Sequence, residues 1–162
     1  MAHPASVDLY ERDFYTWTQD QAARLRALSG DNRVDAAHLA EEIADLGRSE
    51  LNKTRQHLLQ LLIHLLKCGG NPAGEPRGHW LAEAANHARQ AQAAFSPGMR
   101  QHLDLHRLWR DALADANRMR ADDGETALPA DLGCPFTLDA LLDPAVTPET
   151  LLGRIQAALG ET

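Results

Sequence analysis

Glu50, His57 and His64 follow one another at intervals of seven residues. A carboxylate and two imidazoles are the groups that proton transfer and metal ligation draw on. Seven residues are nearly two turns of helix, so the three side chains share one direction. At about 100° per residue, Leu39, Ile43, Leu46 and Leu61 point the same way. Ionisable groups thus interrupt a face that should be apolar, and burying them costs free energy unless they are paired. His57 and His64 would stand about 10.5 Å apart on a straight helix, too far to grip one ion directly. Each needs a partner helix. His87 lies on the inner stripe of the next helical segment, and Glu42 flanks the stripe of the first. Glu50, His57, His64 and His87 therefore form a candidate polar core or binding site between facing helices, with metal binding one use of it. The plainer alternative is a set of core or rim histidines hydrogen-bonded to acids and carbonyls. His64 should be the most enclosed, because it lies in the most apolar stretch.

Weaker candidates surround this set. His102 and His106 have the i, i+4 spacing that lets two imidazoles hold one metal from a single turn. No Glu stands between them in the zinc-protease manner, and no Glu-x-x-His motif of the di-iron bundles occurs. A solvated pair is the plainer reading. Asp13 and Trp17 are one turn apart, so Asp13 could accept a hydrogen bond from a basic group such as Lys67 while the indole packs in the core. Glu41 and Glu42 suit the dipole of the early turns of a helix. Cys134 has no activating neighbour in sequence and reads as structural. No phosphate-binding glycine loop or defensible Ser-His-Asp order appears. The sequence therefore calls for no metal or other cofactor, and whether the chain is an enzyme stays open.

The elements that must position these residues are helices. Residues 8–28 predict the first, capped by Ser6 or Asp8, with Tyr10, Phe14, Trp17, Leu25 and Leu28 on one face. Residues 35–67 predict a second, bent at most by Gly47, with Lys67 suiting its C-terminus and Gly69 and Gly70 ending it. The Gly/Pro-rich residues 69–78 read as an exposed connector. A third helix carries Trp80, Ala84, His87, Ala88, Ala91 and Phe95 on one stripe. Ser96-Pro97 signals the restart of a fourth, whose inner face is Leu105, Leu108, Trp109, Ala112, Ala116 and Met119 and which ends by Gly124. Irregular chain follows over 128–135, then short helices over 137–142 and 149–159, the latter capped by Thr147. Leu58, Leu61, Leu62 and Leu65 span about 140° of arc, wider than one neighbour covers, so a second surface must bury part of it. That surface is either the C-terminal segment or another molecule. β-Branched residues nowhere alternate with polar ones. The expected fold is an all-α bundle of four main helices, a single domain over 1–162 with its core at about 8–124 and an accessory C-terminal segment over 125–162.

Composition narrows the partners. With 44% hydrophobic and 24% charged residues, the chain can bury the core of one soluble domain. Its formal net charge of −7 disfavours a broad electrostatic hold on nucleic acid or an anionic membrane. The most apolar run, 58–66, is far shorter than the roughly 20 residues a membrane span needs. The N-terminus lacks a basic region followed by an apolar one, so no signal peptide and a cytoplasmic location are expected. Cys68 and Cys134 then read as free thiols.

The segments Leu9-Tyr-Glu-Arg-Asp-Phe-Tyr-Thr-Trp-Thr, Leu39-Ala-Glu-Glu-Ile-Ala-Asp-Leu-Gly-Arg-Ser-Glu and His64-Leu-Leu-Lys carry a resemblance, continued by Trp80, Cys134-Pro-Phe and Leu141-Leu-Asp-Pro. In order and spacing the chain resembles the bacterial domain-of-unknown-function family number twenty-nine from residue 9 to about 148. It departs from the family pattern after Lys67, where Cys68-Gly69-Gly70 stands in place of an aromatic. The resemblance implies an α-helical domain and supplies no catalytic residue. The leading expectation is a non-enzymatic helical module that binds a protein partner or itself. The alternative is a metal-dependent or hydrolase-like enzyme using the His and Glu groups of the second helix with His87 or the His102/His106 pair. An enzyme should gather at least three of these groups at one place, whereas a module should disperse them and expose a broad apolar patch.

Overall fold

The computed structural model describes residues 4–28, 30, 33–71 and 76–160, with side chains from Asp8 onward. The described residues form seven α-helices: α1 (Pro4–Arg12), α2 (Phe14–Ala27), α3 (Ala36–Gly70), α4 (Arg77–Ala94), α5 (Leu105–Asp122), α6 (Leu138–Leu142) and α7 (Pro148–Gly160). A 3₁₀ helix (Pro97–His102) lies between α4 and α5. Among the described residues there is no strand, and the fold is an all-α helical bundle. No helix among them is long and apolar enough to cross a membrane. The chain divides into two compact units, residues 1–53 with 94–103 and residues 54–93 with 104–162.

In the first unit, the helix expected over 8–28 is broken. Asp13 has φ −149° and ψ 78°, outside the helical region, and caps α2 by accepting from the Thr16 amide at 3.1 Å and the Thr16 hydroxyl at 2.7 Å. Aspartate competes in this way with backbone hydrogen bonding, which disfavours it inside a helix and favours it at the start. The preceding helix already begins at Pro4, so Asp8 lies within it rather than at its cap; the side chain of Ser6 falls outside the described residues. Leu28, expected on the inner face, is exposed. Tyr10, Phe14 and Trp17 form an aromatic cluster with ring centroids 4.8 to 5.9 Å apart.

The register of α3 also differs from expectation here. Leu39 and Leu46 are 44% and 54% exposed, while Ala40, Ala44, Gly47 and Leu51 are buried. Ala40 and Ala44 cluster with Ala22 of α2, with Leu25 packed against them. A Cβ on Gly47 would collide with the Thr18 side chain. Small residues let α2 and α3 approach closely, so the buried stripe runs one residue beyond the larger leucines. Ser96-Pro97 opens the 3₁₀ helix rather than the fourth long helix, and the Ser96 hydroxyl accepts from the Tyr15 amide at 3.1 Å.

In the second unit, Leu58, Leu61, Leu62, Ile63, Leu65 and Leu66 are all at most 2% exposed. The same core holds Leu108, Trp109, Ala112 and Leu113 of α5, and the C-terminal segment adds Leu128, Leu132, Phe136, Leu141, Leu151, Leu152 and Ile155. The Trp109 indole donates to the Leu132 carbonyl at 2.7 Å and meets Phe136 edge-on. Met119, expected inside, is exposed. Gly69 and Gly70, expected to open an exposed connector over 69–78, instead form the last turn of α3, where a Cβ would strike Ile155 and Arg120 respectively; residues 72–75 of that connector lie outside the described residues. Lys67 lies in that last turn as expected, and a second cation at the helix end comes from Arg120. Its guanidinium donates to the Gly70 and Thr126 carbonyls at 3.2 and 2.8 Å and pairs with Glu125 at 2.7 Å. The fourth long helix starts afresh at Leu105, capped by Asp104 accepting from the Arg107 amide at 3.0 Å.

Candidate functional site: a histidine and glutamate cluster on α3 and α4

The C-terminal half of α3 supplies His57 and His64, and α4 supplies Glu83 and His87 one turn apart. His57 and His87 meet through their Nδ1 atoms at 2.9 Å. His64 stacks on His87 with ring centroids 5.6 Å apart and an interplanar angle of 12°. His64, Glu83 and His87, all half-buried, each offer a ligand atom within 4.8 Å of the others. Two zinc ligands at about 2.0 to 2.1 Å from a tetrahedral ion stand about 3.3 Å apart, so small side-chain rotations would close this triangle around a metal.

The electrostatics keep the His64 and His87 imidazoles neutral. Burial lowers the pKa of His64 to about 4, with His87, Lys67 and His79 adding repulsion and Glu83 opposing it. His87 is lowered first by burial and then by His57, again against Glu83. A neutral imidazole is the form that ligates a metal or accepts a proton. The His64 Nδ1 is shielded from solvent and meets no hydrogen-bond partner among the described residues. The Nδ1 contact between His57 and His87 requires one nitrogen to donate and the other to accept. If His87 donates, its Nε2 carries the free lone pair. One turn along the same two helices, the Lys67 ammonium lies 4.7 Å from the centre of the Trp80 ring.

The profile of a family described as domain of unknown function DUF29 matches residues 9–146 of this chain. The chain belongs to the DUF29 family. Its fold is similar to the crystal structure of an alpha-helical protein of unknown function from Rhodospirillum rubrum, with a TM-score of 0.82 and 29% identity over 90% of this chain and 96% of that one. No curated protein matches it.

Within this DUF29 chain the structure brings His57, His64 and His87 together and adds Glu83, which the sequence reading missed. The available signal was the i, i+4 spacing of Glu83 and His87, two positions that face one way on a helix. Glu50 is not one of the groups that gather; it is half-buried and lies 4.0 Å from Lys53 on its own helix. Glu42 is exposed. Asp13, expected to accept from a basic group such as Lys67, accepts instead within its own unit: Oδ1 takes the Thr16 amide, and Oδ2 takes both the Thr16 hydroxyl and the Gly98 amide at 2.9 Å. Trp17 is half-buried in its aromatic cluster. His102 ends the 3₁₀ helix and His106 lies in α5, so the pair does not share a helix, and both are exposed. Burial raises the thiol pKa of Cys68 and of Cys134, which makes both poor nucleophiles.

Proposed function

We propose that this DUF29 chain binds a divalent transition-metal ion through His64, Glu83 and His87, with His57 hydrogen-bonded behind His87 to orient its ring. The convergence of three ligand-type side chains from two helices within 4.8 Å carries the reading. Two imidazoles and one carboxylate suit zinc and its neighbours rather than calcium or magnesium, which prefer oxygen. Three protein ligands leave one position open, the arrangement of a metal that exchanges a ligand or activates water. A second shell like His57 sets the tautomer of a ligating histidine and raises its basicity. A cytoplasmic setting belongs to the same reading, since Cys68 and Cys134 are free thiols.

Elemental analysis of tag-free protein after dialysis against zinc, with a cobalt titration followed by absorbance, tests the proposal. The wild type should retain about one equivalent, and the double variant His64→Ala/His87→Ala should lose it while remaining helical by circular dichroism. Equal retention by both would overturn the assignment.

A second reading, self-association, is favoured by the exposure of Leu39 and Leu46 on one side of α3 with Val34 50% exposed ahead of them. A second copy of this chain is the partner that reading names. Light scattering over a range of concentrations, compared with Leu39→Glu/Leu46→Glu, decides it. A monomer at every concentration would remove it.

A further inference from the structure

We infer that the open position of this metal site takes an anionic oxygen ligand, a carboxylate or phosphate group, bound jointly by the ion and by the Lys67 ammonium. The inference rests on the metal reading above and adds the class of ligand. Three cross-helix pairings run in order along α3 and α4: His57 meets His87, His64 meets Glu83 and His87, and Lys67 meets Trp80. Lys67 follows His64 by three residues and Trp80 precedes Glu83 by three, so the ammonium stands one helical turn beyond the ligand cluster, on the same side of both helices.

Its charge has not been spent on an acid. Lys67 makes no ion pair among the described residues, and its contact is with the face of Trp80, which holds a cation in place without neutralising it. The side chain is half-buried, so its field is screened less than that of a fully solvated lysine. A divalent ion set against one carboxylate leaves a single positive charge, and Lys67 doubles it. An open coordination position beside two uncompensated positive charges selects an anion over water or a neutral carbonyl. Lysine acts on carboxylate and phosphate alike as a point charge.

The test uses full-length protein loaded with cobalt, with inorganic phosphate and acetate as separate probes and the cobalt absorption bands as readout. Titration of the wild type should shift the bands to saturation with at least one probe, and which one saturates at lower concentration identifies the source of the anion. Lys67→Gln should bind cobalt as the wild type does but weaken the anion by about tenfold, the effect of one partly screened unit charge at close range. Lys67→Arg keeps the charge and the contact with Trp80, and should recover most of the loss. Cobalt bound with no spectral response to either anion would overturn the inference while leaving the metal reading standing, as would a Lys67→Gln protein that binds the anion as tightly as the wild type. Failure to bind cobalt at all would remove both.

Discussion

The two halves of α3 obey different rules. Ahead of Leu51 the buried positions are small, Ala40, Ala44 and Gly47, while Leu39 and Leu46 stand in solvent. From Thr54 onward large aliphatic residues are buried around most of the helix, and the ionisable groups are half-enclosed at the border of that core. The first half trades side-chain bulk for close backbone approach to α2. The second fills its surroundings with leucine and places His64 where desolvation keeps it neutral. A helix face is thus defined by what its neighbour can accept rather than by the size of its apolar residues.

Truncating a leucine in the second half should have the largest effect. Leu62→Ala removes a fully buried side chain and should cost about 2 to 5 kcal/mol in urea unfolding. A loss under about 1 kcal/mol would mean the second half is not close-packed. In the first half the opposite change should hurt. Gly47→Val drives a branched side chain into Thr18 and should cost about 1 to 3 kcal/mol. If Gly47→Val unfolds at the wild-type midpoint, the close approach of α2 and α3 does not exist in solution.

That contrast explains what could be read from the sequence. The helices were legible from apolar spacing and from the lack of alternation, and His57, His64 and His87 were named from spacing alone. The register of the first half was not, because large leucines outweigh alanines in any hydrophobic pattern, while burial there depends on Thr18 and Ala22 of α2. Gly69 and Gly70 looked like a stop for a similar reason. Their role is to admit Ile155 and Arg120, which are remote in sequence, so only the folded chain shows it. Asp13 carried the signature of a helix cap but lay inside an otherwise continuous aromatic stripe. Glu83 escaped because a single acid on a helix becomes a ligand only through what faces it.

A smaller effect concerns the half-enclosed imidazoles. The pKa of His64 is lowered to about 4 in the folded protein from an ordinary value near 6.5. Above that ordinary value the ring is neutral in both states and contributes no pH dependence. As pH falls from about 6.5 toward 4, the unfolded chain takes up a proton that the folded one refuses, so stability declines, and it levels off once the folded ring also protonates. The slope should stay below the roughly 1.4 kcal/mol per pH unit of one full proton, because water reaches the half-buried ring. His87 is lowered too and acts in the same direction. Urea midpoints measured from pH 7.5 to 4.5 should fall more steeply for wild type than for His64→Leu. Parallel curves would show that the desolvation of His64 is not felt. Saturating zinc should steepen the decline further, since protons then compete with the ion for the same nitrogens.

The smallest expected effect belongs to the exposed leucines of the first half, and it separates a solvated stripe from a covered one. Leu46→Ser removes an apolar side chain that is 54% exposed, and Leu39→Ser one that is 44% exposed. In an isolated protomer such substitutions should move the unfolding free energy by no more than about 0.5 kcal/mol. If a second copy of the chain covers the stripe, wild-type stability will instead rise with protein concentration, because association binds only the folded form. The variants would then lose that concentration dependence while matching wild type at the lowest concentration. Unfolding curves at two protein concentrations about a hundredfold apart make the distinction. A loss above about 1.5 kcal/mol at the lowest concentration would place these leucines in the protomer's own core, and the register of small residues described for α3 would then be wrong.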